Sequence, residues 1–336
     1  MPSPRLADCL AACQTIATIG LCKNAGKTTV LNYLLDYYYP DLTLGITSIG
    51  YDGEETDAIT LLPKPRITVR PGMLAATTSD CLQRTEVAYE LLHHTGISTN
   101  LGEVQVVRGL STGYLEVSGP AISSQVQQVG ELLRQFGCQK VIIDGAAGRL
   151  SFASHADGAI LAVGAAMSTE MRQVVKRARH LIELLTLPLG PKLPSCPAHQ
   201  VFCEQSVDGI PHFIFRGALT DRDLEAVSAR SNSERPVVLV KDATAIFISP
   251  KAHSKFRRRG GAILVRKQVN PVAVTINPMS PYGPWFDDAD FLQAMQQATS
   301  LPVYNIMYEK VKRDDEQVEY RRVVGQGLSP KCQLNQ

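Results

Sequence analysis

What this sequence of 336 residues lacks narrows its chemistry before any motif is read. No apolar run approaches the ~18 residues that cross a bilayer. The start, Met1-Pro2-Ser3-Pro4-Arg5, has no charged-then-apolar leader pattern. The expectation is a cytoplasmic protein with no membrane partner. Basic and acidic side chains nearly balance, at a net charge of +2, so no bulk field argues for nucleic acid or a lipid surface. The single basic cluster, Lys255-Phe256-Arg257-Arg258-Arg259, reads as a solvated helix end or a phosphate-facing partner patch. The eight cysteines are scattered without a C-x-x-C pair, which excludes a disulfide framework or a zinc site on spacing and leaves reduced structural thiols. His93, His94, His155, His180 and His253 show no metal-ligand spacing either. Internal repeats, heptads and low-complexity blocks are also missing.

What is present is organised around Gly20-Leu21-Cys22-Lys23-Asn24-Ala25-Gly26-Lys27-Thr28-Thr29. The apolar run Thr15-Ile16-Ala17-Thr18-Ile19 precedes it and the helical pattern Val30-Leu31-Asn32-Tyr33-Leu34-Leu35 follows. Strand, glycine-bounded loop, Gly-Lys-Thr and helix is the context of a phosphate-binding loop. Successive backbone N–H groups at a helix N-terminus attract phosphate. Gly26 permits close backbone approach, Lys27 supplies a cation toward the β- and γ-phosphates, and the Thr28 hydroxyl suits Mg²⁺. Lys23, Asn24, Ala25 and Thr29 complete the binding stretch. Five residues separate Gly20 from Gly26 instead of the usual four, and Cys22 lies inside the loop.

The rest of the chain alternates strand and helix. Leu42 to Gly50 suits a buried parallel strand that ends in the acidic loop Tyr51-Asp52-Gly53-Glu54-Glu55-Thr56-Asp57. Asp80 to His93 has a helical pattern, Glu103 to Arg108 a strand pattern, and residues 122–136 an amphipathic helix ended by Gly137. Lys140-Val141-Ile142-Ile143-Asp144 places an acid at a strand tip, and Gly158 to Gly164 is one more buried strand before a helix from Glu170 to Leu185. Pro188, Gly190, Pro191, Pro194 and Pro197 mark a connecting segment, and Asp208-Gly209 joins two strand patterns as a hairpin. Strands are expected again at Val237 to Val240, Ala245 to Ile248, Val272 to Ile276 and Leu301 to Asn305. The expected architecture is α/β, a mostly parallel sheet flanked by helices. A single domain over 1–320 is expected, with an insertion or hinge near 187–235, a second half that completes the sheet, and a polar tail over 321–336.

The candidate chemistry follows from these positions. Asp144 behind a phosphate loop is the arrangement that delivers a carboxylate to Mg²⁺ or its water shell. Asp52, nearest the end of its strand in the acidic loop, is the candidate to orient a water or meet the metal. Lys64 and Arg66 are candidates to pair with these acids or to reach phosphate. Asn277, before Pro278 at a strand tip, is the candidate for reading a base edge. The Asn-Lys-x-Asp signature that reads guanine is not in the chain, which favours ATP with Mg²⁺.

Taken together these stretches resemble the small subunit of the lysine 5,6-aminomutase reactivase. The similarity is carried by the loop above and by Thr47-Ser48-Ile49-Gly50-Tyr51-Asp52-Gly53-Glu54, Lys64-Pro65-Arg66-Ile67, Ile143-Asp144-Gly145-Ala146 and Gly217-Ala218-Leu219-Thr220-Asp221. Asn277-Pro278 with Ser280-Pro281-Tyr282-Gly283 adds to it, and the whole runs from about residue 15 to 308. The resemblance implies a P-loop NTPase related to dethiobiotin synthetase and to nitrogenase iron-protein-like ATPases. It departs from the latter at Cys22, where those ATPases carry a lysine that crosses a dimer interface. The implied activity is ATP-dependent exchange of damaged cobalamin on an adenosylcobalamin-dependent lysine 5,6-aminomutase. The implied partners are that mutase and a larger, actin-like-ATPase-type reactivase subunit. Two other readings of the same loop are a dethiobiotin synthetase-like ligase or kinase and a nucleotide-dependent metallochaperone or accessory protein. The last is disfavoured by the absence of a His/Cys cluster in the sequence.

Overall fold

Buried side chains alternate along the central strands and build a core on each face of one large sheet. The structure, a computed structural model, describes residues 5–39, 41–50, 66–145, 152–197, 200–231, 235–283, 285–306, 311–312 and 317–318. A 3-10 turn, Asp8–Leu10, leads into β1 (Thr15–Gly20), α1 (Lys27–Tyr38) and β2 (Leu44–Ser48). Then come β3 (Ile67–Val69), β4 (Leu74–Thr78), a short α2 (Ser79–Gln83), β5 (Tyr89–Thr99), β6 (Gly102–Gly109) and β7 (Gly113–Leu115). The elements α3 (Ser123–Gln135), β8 (Lys140–Asp144), β9 (Gly158–Gly164) and α4 (Met171–Leu185) close the first half. The second half holds β10 (Phe202–Val207), β11 (Ile210–Phe215), β12 (Leu219–Thr220), α5 (Asp221–Arg230), β13 (Val237–Asp242) and β14 (Ile246–Phe247). It continues with α6 (Pro250–Arg258), β15 (Ala262–Lys267), β16 (Pro271–Asn277), α7 (Asp288–Ala298) and β17 (Val303–Asn305).

The large sheet has the order β17-β16-β9-β1-β8-β2-β4-β6-β5. From β17 to β4 every neighbouring pair is parallel, and β6 and β5 are added antiparallel at one edge. The fold is therefore α/β with a large mixed sheet whose central part is parallel. Period-2 alternation sends Ala17, Ile19, Val141, Ile143, Leu161 and Val163 to one face, where they meet α3, α4 and α7 through residues such as Val129, Ala178 and Phe291. Ile16, Ile142 and Ile160 point to the other face, against Val30, Leu31 and Leu34 of α1 and Leu10 of the N-terminal turn. Full burial of β1 and β9 on both faces explains why those strands read as unbroken apolar runs.

Two sequence expectations change. The helix expected from Asp80 to His93 is only the single turn of α2, and Tyr89–Thr99 is an edge strand paired with β6. Of that strand only Ile97 is buried, so its apolar pattern carried no strand signal, and pairing with β6 decides its conformation. The strand expected over Val237 to Val240 exists but does not extend the large sheet. With β10, β11 and β15 it forms a separate sheet of order β10-β11-β13-β15, in which β11, β13 and β15 are parallel. Its core of Phe213, Phe215, Val238, Val240 and Val265 packs on Leu224 and Val227 of α5 and Phe256 of α6. The opposite face, at Ile214 and Leu239, is covered by Leu193 and Cys196 of the proline-rich connector. The expected hairpin is present, with Asp208 and Gly209 both at positive φ, as a two-residue turn of that kind requires. Among the described residues of the second half, only β16 and β17 return to the large sheet, beside β9. The acidic loop over 51–57, Lys64 and the tail over 321–336 lie outside the described residues.

Candidate functional site

The carboxyl ends of β1, β8, β9, β2 and β16 meet at one edge of the sheet, and the loop from Gly20 to Lys27 lies over them. Its shape follows from local chemistry. Asn24 and Gly26 take positive φ, 59° and 94°, a conformation that asparagine and glycine tolerate best. Gly26 is also the N-cap of α1, and it has no side chain to cap the helix. The first-turn N–H groups of α1 therefore face the loop, and no acidic residue stands in that turn. Lys27 folds its stem back over the end of β1. A Cβ built on Gly20 would sit 2.6 Å from Lys27 Cδ and 2.8 Å from Cγ. Gly20 is thus glycine because the lysine stem occupies the space a side chain needs, and Lys27 is buried as a result.

Neighbouring strands hold the loop in place. Leu21 N–H donates to Ala162 O at 3.0 Å, and a Cβ on Gly164 would meet Ala25 Cα at 2.8 Å, so β9 runs directly beneath the loop. Asn277, at the tip of β16, donates through Nδ2 to Asn24 O at 3.1 Å and accepts from Met279 N–H at 3.2 Å through Oδ1. Its amide thus binds the loop backbone and its own turn. The structure gives Asn277 a loop-positioning contact.

Asp144 ends β8 in register with Thr18 of β1 on one side and Ser48 of β2 on the other. Thr18 Oγ1 donates toward Asp144 Oδ1 and Ile143 O, both at 3.3 Å, and Ser48 Oγ donates to Asp144 O at 3.1 Å. The backbone continues from β2 through Ile49, whose N–H donates to Asp144 O at 3.0 Å, and Gly50, whose N–H donates to Pro120 O at 2.9 Å. The strand that leads to Asp52 is therefore pinned beside Asp144, while Asp52 itself lies outside the described residues. Arg66 stands apart from this cluster, in an exposed ion pair with Glu86 at 3.2 Å.

The structure thus gathers Gly20, Lys23, Asn24, Ala25, Gly26, Lys27, Thr28 and Thr29 into one loop and helix start, with Asp144 and Asn277 on flanking strand tips. Sequence reasoning missed Thr18, Ser48 and Gly164, because small residues at strand ends carry no motif of their own. Burial pushes the Cys22 thiol up to about 11, opposed by the nearby Lys27 charge. Cys22 is therefore a neutral thiol, a weak nucleophile in the range where proteins work. Chemically, aligned N–H groups, a lysine, a threonine hydroxyl at the helix start and an acid on the next strand suit a polyphosphate carrying a divalent cation.

Elsewhere, a three-dimensional grouping appears that the sequence spacing did not show. His180 and Glu183 of α4 and His253 of α6 place their ligand atoms within 4.8 Å of one another. Among the described residues no helix is long and apolar enough to cross a membrane. A scan against protein-family models and searches of curated proteins and solved structures return no match.

Proposed function

We propose that the chain is a P-loop NTPase that binds and hydrolyses Mg-ATP at the Gly20–Thr29 loop. The observation that supports this best is the Lys27 stem lying over Gly20 at the start of a helix capped only by Gly26. A lysine with its stem so placed is the residue to carry a cation toward phosphates bound by the loop N–H groups. Thr28 and Asp144 are the residues to hold Mg²⁺, which would neutralise charge on the phosphates during transfer of the γ-phosphoryl group to water. Thr18 and Ser48 fix Asp144, and Asn277 fixes the loop carbonyl of Asn24. Calorimetric titration of Mg-ATP tests the site: Lys27→Ala should abolish measurable binding, and unchanged affinity would reject the assignment. Asp144→Asn should slow Mg²⁺-dependent hydrolysis more than it weakens binding, and equal loss of both would remove its metal role.

The use of the nucleotide rests on the sequence resemblance. In that reading, ATP turnover loosens damaged cobalamin from a lysine 5,6-aminomutase, together with a larger actin-like-ATPase-type subunit. The test is recovery of a cyanocobalamin-inactivated mutase with ATP and both subunits present. Failure of recovery alongside intact ATP binding would favour the ligase or kinase reading of the same loop.

A further inference from the structure

The open cleft between α4 and α6 has a volume of about 610 Å³ and lies on elements that form no part of the Gly20–Thr29 loop. His180 and Glu183 are three residues apart on α4, a spacing that puts both on one face of a helix. His253 reaches the same point from α6, its ring centroid 5.6 Å from that of His180. The three ligand atoms lie within 4.8 Å of one another. Donors on one tetrahedral ion stand ~3.4 Å apart when each metal–ligand distance is ~2.1 Å, so small side-chain rotations close the set. We propose that His180, Glu183 and His253 form a binding site for a zinc-class divalent transition-metal ion.

The surroundings prepare these groups for that role. His180 Nε2 lies 2.9 Å from Ile248 O. A carbonyl oxygen only accepts, so Nε2 carries the hydrogen and Nδ1 carries the lone pair. This is the outer hydrogen bond that orients metal-binding imidazoles. His253 is buried, so its ring is held by packing beside that of His180. Arg179 Nε donates to Glu183 Oε1 at 2.9 Å, which steers a carboxylate that has a second oxygen to offer. Two imidazoles, a carboxylate and no thiolate make a donor set suited to zinc, cobalt or nickel and poor for calcium or magnesium. Three protein ligands leave a fourth position open, as in sites that take an exogenous ligand. Lys176, Arg257 and Arg258 line the same cleft, so that ligand is an anionic oxygen group, a carboxylate or phosphate.

Cobalt(II) is the probe, because its visible spectrum reports ligand type and geometry. Titration of the full chain with CoCl₂, without nucleotide, should give one equivalent of tight binding and visible bands of low-coordinate cobalt. A thiolate-to-cobalt charge-transfer band should not accompany them. Glu183→Gln and His180→Ala should each weaken cobalt binding by more than the roughly 10–100-fold that loss of an outer-shell partner costs. His253 is buried, so His253→Ala is a supplementary variant, interpreted only when its circular dichroism matches the parent. Lys27→Ala should bind cobalt as the parent does, and Glu183→Gln should keep the parent's response to Mg-ATP. Failure of the metal site is therefore separable from failure of the nucleotide site. Inorganic phosphate should shift the cobalt bands, and an unchanged spectrum would reject the anionic fourth ligand. Absence of stoichiometric cobalt binding, or binding untouched by both Glu183→Gln and His180→Ala, would overturn the proposal.

Discussion

Lys27 and Gly20 show how one atom of space decides a site. A methyl group on residue 20 would collide first with the middle of the Lys27 side chain, 2.6 Å away, with Cys22 O the nearest backbone atom at 3.2 Å. The lysine can swing aside, so Gly20→Ala should leave the thermal midpoint nearly unchanged and lower Mg-ATP affinity by about tenfold, roughly 1.4 kcal/mol. Gly164→Ala is the contrasting case, because its Cβ would meet Ala25 Cα, a backbone atom 2.8 Å away. That variant should lose both thermal stability and affinity, and paired melting curves and titrations separate the two outcomes. Cys22 supplies a third residue-level test. With its pKa pushed up to about 11, roughly one thiol in a thousand is ionised at about pH 8. Iodoacetamide labelling of the Cys22 peptide, followed by mass spectrometry, should be far slower in the folded chain than in urea. The folded-state rate should climb until the pH nears 11.

At the scale of elements, the lead-in before β1 is held by an unusual anchor. Lys140, the first residue of β8, donates from Nζ to Leu10 O, Ala11 O and Cys13 O at 2.9, 3.0 and 2.7 Å. Its ammonium also lies 4.8 Å from the centre of the Tyr38 ring. Burial lowers the Lys140 pKa, but the three carbonyls accept from its ammonium and hold the N-terminal turn against the sheet. Lys140→Met keeps the stem and deletes the donors, and it should destabilise the fold by roughly 1–3 kcal/mol in urea titration. The same scale explains what the sequence concealed. Between Asp80 and His93 the buried residues are Cys81, Leu82 and Val87, all ahead of β5, so the strand half of the stretch offered no alternating signal against the helical one. Thr95 Oγ1, which donates to Val104 O at 2.7 Å, belongs to the pairing that makes it a strand. His180 and Glu183 share one face of α4, whereas His253 arrives from a helix, seventy positions after Glu183 in the chain, which spacing along the sequence does not record.

For the whole molecule the question is how two sheets share one chain. The second sheet is joined to the first half of the chain by polar and apolar contacts. Ser154 donates to Asp242 Oδ2 at 3.4 Å, Ala243 joins the core under α3 and α4, and Lys267 Nζ lies 3.2 Å from His155 Nδ1. Burial first, then Lys267 and Lys241, hold the His155 pKa below its ordinary 6.5. The unfolded chain therefore takes up the proton first as pH falls. Stability from this contact is complete above about 6.5 and is lost as pH drops through the lowered value. Urea midpoints measured at about pH 7 and about pH 5.5 should fall, and His155→Gln should make that fall shallower. An unchanged pH dependence in the variant would show that His155 does not report on the contact between the sheets.

The sequence by itself determined the loop from Gly20 to Thr29, the strands that flank it and the acid at Asp144, because each depends on residues a few positions apart. Glycine at positive φ, a lysine beside it, and an apolar run ending in a carboxylate are local features that survive in any fold containing them. Only the tertiary structure decided which sheet each later strand joins. β13 reads like β16, because a strand–helix–strand unit looks the same in sequence whichever sheet it enters, and β15 carried no reading at all. Tertiary structure alone also decided that Asn277 holds the loop, that Thr18 and Ser48 hold Asp144, and that His253 meets His180 and Glu183. These are long-range contacts between short polar side chains, set by the stacking of strands and helices, and hydrophobic patterning does not record them.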